Sequence, residues 1–331
     1  MLKKIANYYK RQLAVFFLPT VPDKIKKPKD YRNLAYITEN LSSDTLLAIR
    51  RTFKYIELAK DILGTKYWEN SYSWENSLKN ILSSNSKINK QPVISWLRQQ
   101  LEIDISEQKK FGNNYAKSYN KWRNIIENKL GIFVFQFSMP IEELDGFSYV
   151  LDNYPKAIII NSNALPQRKI FTLFHELGHI LKNQSALCIT DIANDKNNLE
   201  IEYECNSFAG MFLVPYNKVY PISNEEELNI LARELSVSRE VYLRQSFEKG
   251  LISKKTFFEL LKQIRKKTII RKNKINGGIP PKVKSKSSRG AMFYNLVLNA
   301  AYNSQIDFST ASDVLKLKVN YILNHYCPIK I

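Results

Sequence analysis

The sequence predicts an α+β protein that is mostly helical, with one small β-sheet packed on a long helix. In most segments, apolar residues recur three or four positions apart, which is the spacing of one helix face. Residues 131–161 differ, because short runs of β-branched and aromatic residues are separated there by turn residues. The chain of 331 residues is 44% hydrophobic, which is enough apolar material for cores in more than one domain.

Residues 1–117 are expected to form a helical N-terminal region. Apolar residues at helical spacing predict a first helix that ends in a buried aromatic stretch before Pro19. A signal peptide fits this start less well, since Pro19 cuts the apolar run short and no small-residue cleavage site follows. A second helical stretch covers 34–63, where the Ser-Ser-Asp at 42–44 suggests an N-cap, and helices resume at about 92–130.

The segment 118–220 is predicted to be a core that contains the sheet. Three strands are expected, at 131–137, 146–152 and 156–161. The turn residues Asn-Tyr-Pro between the last two strands predict a hairpin.

Two helices are expected after the hairpin. The first covers about 165–183, with Asn163 as a candidate cap and Pro166 in its first turn. The second stops before Pro215.

Two helical units and a basic linker are expected after this core. The first unit covers 221–267, and its stretch LNILARELSVSREVYLRQS at 228–246 resembles a helix-turn-helix. Residues 268–289 are rich in Lys, Arg, Gly and Pro and predict a linker. A C-terminal helical unit is expected at 290–331, with capping-box spacing at 310–313.

The composition limits the classes of function. A net charge of +19 favours contact with a polyanion such as nucleic acid, although Lys, Asn and Ile are frequent along the whole chain. The three cysteines, at 188, 205 and 327, show no CxxC spacing, so a reducing, cytoplasmic location is expected. No apolar run approaches the roughly 20 residues needed to cross a bilayer, so no membrane contact is expected.

An HExxH motif lies on the predicted helix at 165–183, as His175-Glu176-Leu177-Gly178-His179. Residues at i and i+4 are about 40° apart around a helix axis, so both imidazoles point the same way, one turn apart. Two zinc ligands need this arrangement, and Glu176 is placed to take a proton from an attacking water. The motif also arises by chance in helices, but two of the three histidines of the chain belong to it.

A catalytic zinc usually has three protein ligands, and the third is expected on the following helix. The acidic candidates there are Glu200, Glu202 and Glu204, whereas His325 lies in a distant segment. Glu202 and Asn206 have the Glu-x-x-x-Asp/Asn spacing of gluzincin metallopeptidases. Glu204 is the second candidate, with a solvated carboxylate as its other interpretation.

Two further expectations concern the surroundings of this motif. Cys205 and Ala209 are small residues on nearly one face, so this helix is expected to pack closely on the HExxH helix. By analogy with zincin folds, the strand at 157–161 is expected to be an edge strand that pairs with extended substrate.

The chain resembles the ImmA/IrrE metallopeptidase family most strongly over residues 118–220. The resemblance lies in KWRNIIENKLGIFVFQF, in GFSYVLDNYPKAIIINSNALPQRKIFTLFHELGHIL and in EIEYECNSFAGMFLVP. It implies a zincin-like core in which Glu202 completes the metal site, Asn206 supports a ligand histidine and Zn²⁺ is the cofactor. The flanks at 231–253 and 287–317 are similar to the C-terminal regions of long family members.

The resemblance also suggests a function. Characterised members cleave transcriptional repressors of the Xre type, so this chain is expected to be a zinc-dependent endopeptidase of such a repressor, with conditional activity. Long members often begin with an Xre-type helix-turn-helix, whereas the first residues here resemble the segment that follows it. The alternative is a regulatory or antitoxin-like, DNA-associated binding protein whose metal site is structural or silent.

Contact with DNA is predicted at two places, each with a plainer alternative. In the helix-turn-helix interpretation, Ser238 caps the second helix and Arg239, Arg244 and Gln245 face DNA. An ordinary three-helix packing unit has the same apolar pattern. The basic side chains of the linker are expected either to contact phosphates or to form a solvated tether, and they are Arg271, Lys272, Lys274, Lys282, Lys284, Lys286 and Arg289.

Overall fold

The computed structural model describes residues 1–11, 13–19, 41–64, 72–84, 87–89, 91–183, 196–268 and 280–325. Within these ranges the chain is α+β, as predicted, with many helices around one three-stranded sheet. None of the described helices is long and apolar enough to span a membrane.

Among the described residues, six α-helices precede the sheet, and they are α1 (Leu2–Tyr8), α2 (Ser43–Leu63), α3 (Trp74–Ser84), α4 (Gln91–Gln100), α5 (Ile105–Lys109) and α6 (Tyr115–Leu130). The N-cap predicted at 42–44 is confirmed, because Ser42 Oγ accepts from the amide of Thr45. The buried aromatic stretch predicted near the start is wrong. A 3₁₀ turn at Leu13–Phe17 follows α1, and Phe17 keeps 69% of its surface exposed.

The sheet contains β1 (Phe133–Phe137), β2 (Gly146–Tyr149) and β3 (Ala157–Asn161), in the order β1-β3-β2. The predicted hairpin is confirmed, since β2 pairs antiparallel with β3. β1 runs parallel to β3 on its other side. The strand at 157–161 is therefore central, and the expectation that it is an edge strand is wrong.

The two faces of the sheet are covered by different helices. The helix α7 (Pro166–Leu181) packs on one face, against β2 and β3. On the other face, the ring of Tyr55 from α2 lies 5.6 Å from that of Phe135 and stacks on Phe293 of a C-terminal helix. The segment predicted as a separate C-terminal unit thus contributes side chains to the core.

The remaining helices are α8 (Lys196–Leu213), α9 (Glu225–Glu234), α10 (Arg239–Glu248), α11 (Lys254–Thr268), α12 (Pro281–Arg289), α13 (Ala291–Tyr302), α14 (Phe308–Leu315) and α15 (Val319–His325). Asp307 caps α14, and the Thr310 that the capping-box spacing suggested as the cap instead donates its amide to Asp307. The division of the chain into five domains stays a prediction.

The linker predicted at 268–289 is wrong for its second half, because 281–289 form α12, whereas 269–279 lie outside the described residues. Helix α12 covers the outer edge of β1, where Ser288 Oγ donates to the carbonyl of Gln136 at 2.9 Å. Arg289 is buried and donates to the carbonyl of Val314, so it is not available to DNA phosphates.

Candidate metal centre

The HExxH residues lie on a deeply buried helix. Pro166 is the first residue of α7, as predicted, because a helix needs no amide donor at that position. Asn163 does not cap the helix and instead donates to the carbonyl of Met139. From Ile170 onward every residue of α7 except Phe171 is buried, so the motif is held rigidly between the sheet and α8.

Helices α7 and α8 approach each other closely at small residues. A Cβ added to Gly178 would lie 3.2 Å from Cys205 Sγ, which is closer than most Cβ contacts, so a side chain there would require Cys205 to shift. Cys205 and Ala209 are both fully buried, so the predicted close packing is confirmed. Burial raises the pKa of the Cys205 thiol strongly, which makes it an unreactive packing residue.

The structure brings together three side chains that could hold a metal, from the two helices. The Nε2 atoms of His175 and His179 are 3.2 Å apart. Glu202 of α8 places its Oε2 atom 3.3 Å from the His175 nitrogen and its Oε1 atom 3.3 Å from the His179 nitrogen. No other group of three or more potential ligands comes together among the residues with described side chains.

The spacing of these atoms fits a metal ion. Ligands about 2.0–2.1 Å from a tetrahedral zinc are about 3.3–3.4 Å from one another. Two neutral imidazole nitrogens that face each other also present their lone pairs to the same point, which a cation satisfies. The two nitrogens and one carboxylate oxygen suit zinc, and manganese and iron bind the same donor types.

The charges at the centre favour an ionised carboxylate. Burial works against ionisation of Glu202, but hydrogen bonds from His175 and His179 outweigh it and hold the pKa of this carboxyl well below its usual range. Burial would lower the pKa of His175, yet its bonds to Glu202 and Asn206 and the charge of Glu176 raise it.

The other acidic candidates for the third ligand bind elsewhere. Glu200 is exposed and pairs with Lys87 at 2.7 Å. Glu204 is buried, accepts from the amide of Ile88 and pairs with Lys182 at 2.7 Å. The interpretation of Glu204 as a solvated carboxylate is therefore wrong, and its role is to join α8 to neighbouring segments.

Glu176 lies beside the three potential ligands and is fully buried. Burial raises the pKa of its carboxyl group, while the charges of His175 and His179 and a hydrogen bond from Ser148 act in the opposite direction. Its Oε2 atom has no hydrogen-bond partner among the described residues. A buried carboxylate oxygen without a partner is costly, and such groups are concentrated at functional sites.

Two residues of α8 near the centre, Asn206 and Tyr203, are exposed to solvent. The side chain of Asn206 hydrogen-bonds His175, while its supporting role at a metal site stays a prediction. Tyr203 keeps 64% of its surface exposed. Ser148 was missed altogether, because the sequence does not indicate which strand residue reaches Glu176.

The edge strand beside the centre is β2. A Cβ added to Gly146 would lie 2.8 Å from Thr172 Cγ2 and 3.6 Å from Glu176 Cγ, so this strand runs directly against the turn of α7 that carries Glu176. The other outer strand, β1, is covered, since Arg123 donates to the carbonyl of Val134 and Ser288 to that of Gln136. Of the two outer strands, β2 is thus the one next to the metal centre.

The stretch that resembles a helix-turn-helix forms two helices, α9 and α10, with Ser238 as the cap of α10 as expected. Its arginines are engaged by acids of the same module, Arg239 by Glu225 and Arg244 by Glu240, each at 2.8 Å. Gln245 is buried and donates to Glu248, so the expectation that it faces DNA is wrong. These contacts favour the packing interpretation, and DNA contact by Arg239 and Arg244 stays a prediction.

An HExxH helix, a glutamate from the next helix and a buried acid beside them define a metallopeptidase-like centre. Residues 127–246 match the family model described as the IrrE N-terminal-like domain, Peptidase_M78. This match supports the resemblance to the ImmA/IrrE family predicted from the sequence, over this segment of the chain. A search of curated proteins found no significant match.

Proposed function

We propose that the protein is a metal-dependent endopeptidase, with Zn²⁺ as the cofactor. His175, His179 and Glu202 would hold the ion, and Glu176 would act as the general base. The observation that carries this proposal is the spacing of 3.2–3.3 Å between the ligand atoms, with the buried Glu176 next to them.

The chemistry follows from the position of Glu176. A bound zinc ion would act as a Lewis acid that polarises the scissile carbonyl and makes an attacking water more acidic. Glu176 takes the proton from this water and passes it to the departing amine. Burial raises the pKa of this carboxyl, which makes it a stronger proton acceptor than an exposed carboxylate.

The substrate is an extended polypeptide segment that adds to β2. The amide of Asn161 donates to the carbonyl of Asp145, which makes these two residues a hydrogen-bonded pair. Because such pairs alternate along antiparallel strands, the main-chain groups of Gly146 and Ser148 face away from β3, towards the outer side of the strand. An added strand would pair there and pass directly by Glu176.

The protein substrate we propose is a repressor of the Xre type, acted on in the cytoplasm under a stress or mobile-element response. Support comes from the match of residues 127–246 to the IrrE N-terminal-like domain, which fits the sequence resemblance that suggested this substrate. The competing candidate, a binding protein with a silent site, gives no reason to keep a buried carboxylate beside the ligands.

The test measures cleavage of a purified Xre repressor by the metal-loaded protein. Glu176→Gln is the matched variant. Gln keeps the size of the side chain and removes the base, so the rate should fall by about 100-fold or more while bound metal is unchanged. A chelator should stop cleavage by the wild type. Equal cleavage by both proteins, or none by metal-loaded wild type against any genomic neighbour of this class, would contradict the proposal.

A further inference from the structure

Ser148 is a buried serine in the middle of the edge strand β2. It lies opposite Ile158 of β3 and is fully excluded from solvent. Side chains alternate along a strand, so Ser148 shares its face with Gly146, and this is the face on α7. The neighbouring Tyr149 lies on the opposite face, where its ring contacts Phe53 of α2.

The Ser148 side chain donates a hydrogen bond to the Glu176 carboxylate. Because Oε2 of Glu176 has no partner among the described residues, the bond from Ser148 falls on the other oxygen, Oε1. One oxygen of the carboxylate is thereby fixed, and the other is left as the oxygen that exchanges a proton.

The strand is held so that this contact has little freedom. At Gly146, the absence of a side chain lets β2 approach α7, since an added Cβ would lie 2.8 Å from Thr172 Cγ2. The segment that leads into β2 is fixed by Asn161, which is fully buried and donates to the carbonyls of Met139 and Leu144. Arg168 of α7 pairs with Asp145 at 2.5 Å, directly before the strand.

We propose that Ser148 is a positioning residue, which holds Oε1 of Glu176 and so presents Oε2 to the proton in transfer. This inference rests on the proposed function and adds a residue to it. The main chain of Ser148 faces the outer side of β2, where we place the substrate, so one residue joins the substrate-binding strand to the catalytic carboxylate. Substrate that orders this strand would at the same time fix the general base.

The kinetic test compares Ser148→Ala with Ser118→Ala. Ser118 is an equally buried serine, on α6, which donates to the carbonyl of Asn114. Removing the Ser148 hydroxyl should lower kcat by about 10-fold or more and leave KM within about 2-fold, because only the orientation of the base changes. Bound metal should be unchanged, and Ser118→Ala should keep its kcat. In the Glu176→Gln background, Ser148→Ala should have no further effect on the rate.

A second measurement needs neither metal nor turnover. Thermal unfolding of the metal-free protein is compared for Ser148→Ala, Glu176→Ala and the double variant. If the hydroxyl acts through the carboxylate, the Tm decreases are not additive, since either single variant removes the same bond. Additive decreases, or an unchanged kcat in Ser148→Ala, would overturn the inference. Failure of the proposed function shows differently, as a wild type that binds no metal.

Discussion

Glu202 and Glu204 lie two residues apart on α8, yet their carboxylates bind on opposite sides of the helix. Glu202 contacts the imidazoles of His175 and His179, whereas Glu204 accepts from the amide of Ile88 and pairs with Lys182. Two positions along a helix amount to a rotation of about 200°, which explains the divergence. One acid therefore belongs to the metal centre and the other to the packing around it.

This divergence predicts that Glu204→Ala destabilises the protein without removing a metal ligand. The variant leaves Lys182 and a buried amide without their acceptor, so the free energy of unfolding should fall by on the order of 3 kcal/mol. Glu200→Ala is the control, because its pair with Lys87 is exposed to solvent and should contribute little to stability. Urea denaturation measures both changes. Equal stability of the two variants would contradict the structural role of Glu204.

The close contact of α7 and α8 predicts that a larger side chain at Gly178 lowers both the stability of the protein and its affinity for metal. Gly178→Val places methyl groups against Cys205, so unfolding should become easier by about 1–3 kcal/mol and metal affinity should decrease as the helices separate. Adding Cys205→Ala to Gly178→Val makes room and should recover part of both losses. Metal titration and thermal unfolding give the two readouts, and an unaltered metal affinity in Gly178→Val would contradict this coupling.

Lys169 predicts a specific dependence of stability on pH. Burial, and secondly the charge of Arg123, lower the pKa of this lysine to about 8. In the unfolded chain the pKa of a lysine is about 10.4. Between the folded and unfolded pKa values, the unfolded state therefore binds more protons than the folded state. The free energy of unfolding contributed by Lys169 should therefore rise with pH across this window.

Lys169→Met removes the titrating group, so its stability should rise less with pH than that of the wild type. Urea denaturation of both proteins from about pH 7 to about pH 10 measures the difference, in which all other titrations cancel. Parallel curves for the two proteins would show that Lys169 is not perturbed.

The ion pairs of the helix-turn-helix predict that it does not read DNA. Arg239 and Arg244 are held by Glu225 and Glu240, so the double alanine variant should weaken DNA binding no more than a change of equal charge elsewhere. Lys254→Ala with Lys255→Ala is that control, since both lysines are exposed on α11. Fluorescence anisotropy with duplex DNA distinguishes the cases. A selective loss in the arginine variant would restore the DNA-facing interpretation.

Local patterns were sufficient to predict the helix that carries the site. The apolar period and Pro166 predicted α7 to within two residues at each end, and the i and i+4 spacing of His175 and His179 indicated two potential ligands. Periodicity could not decide which of three acidic residues on the next helix is the third potential ligand, and only the family resemblance selected Glu202. The structure agrees with that selection because Glu202 alone among them reaches the histidines.

Long-range pairing could not be predicted in the same way. The hairpin of β2 and β3 follows from adjacency, but the pairing of β1 with β3 depends on a crossover that no local signal encodes. The identity of the edge strand, and with it the contact of Ser148 with Glu176, depends on this order. The packing of α12 on β1 was missed for a related reason, since a lysine-rich helix resembles a linker until its few buried residues are known.

The most direct test of the metal centre is elemental analysis of the purified wild type beside Glu202→Ala and Glu200→Ala. Glu200 is the matched control, because it is an exposed carboxylate two residues away that contacts Lys87 rather than the histidines. The proposed ligand set predicts about one zinc per chain in the wild type and in Glu200→Ala, and a loss of metal in Glu202→Ala. A wild type that binds no metal when zinc is supplied at neutral pH, or a Glu202→Ala variant that retains it fully, would contradict the account.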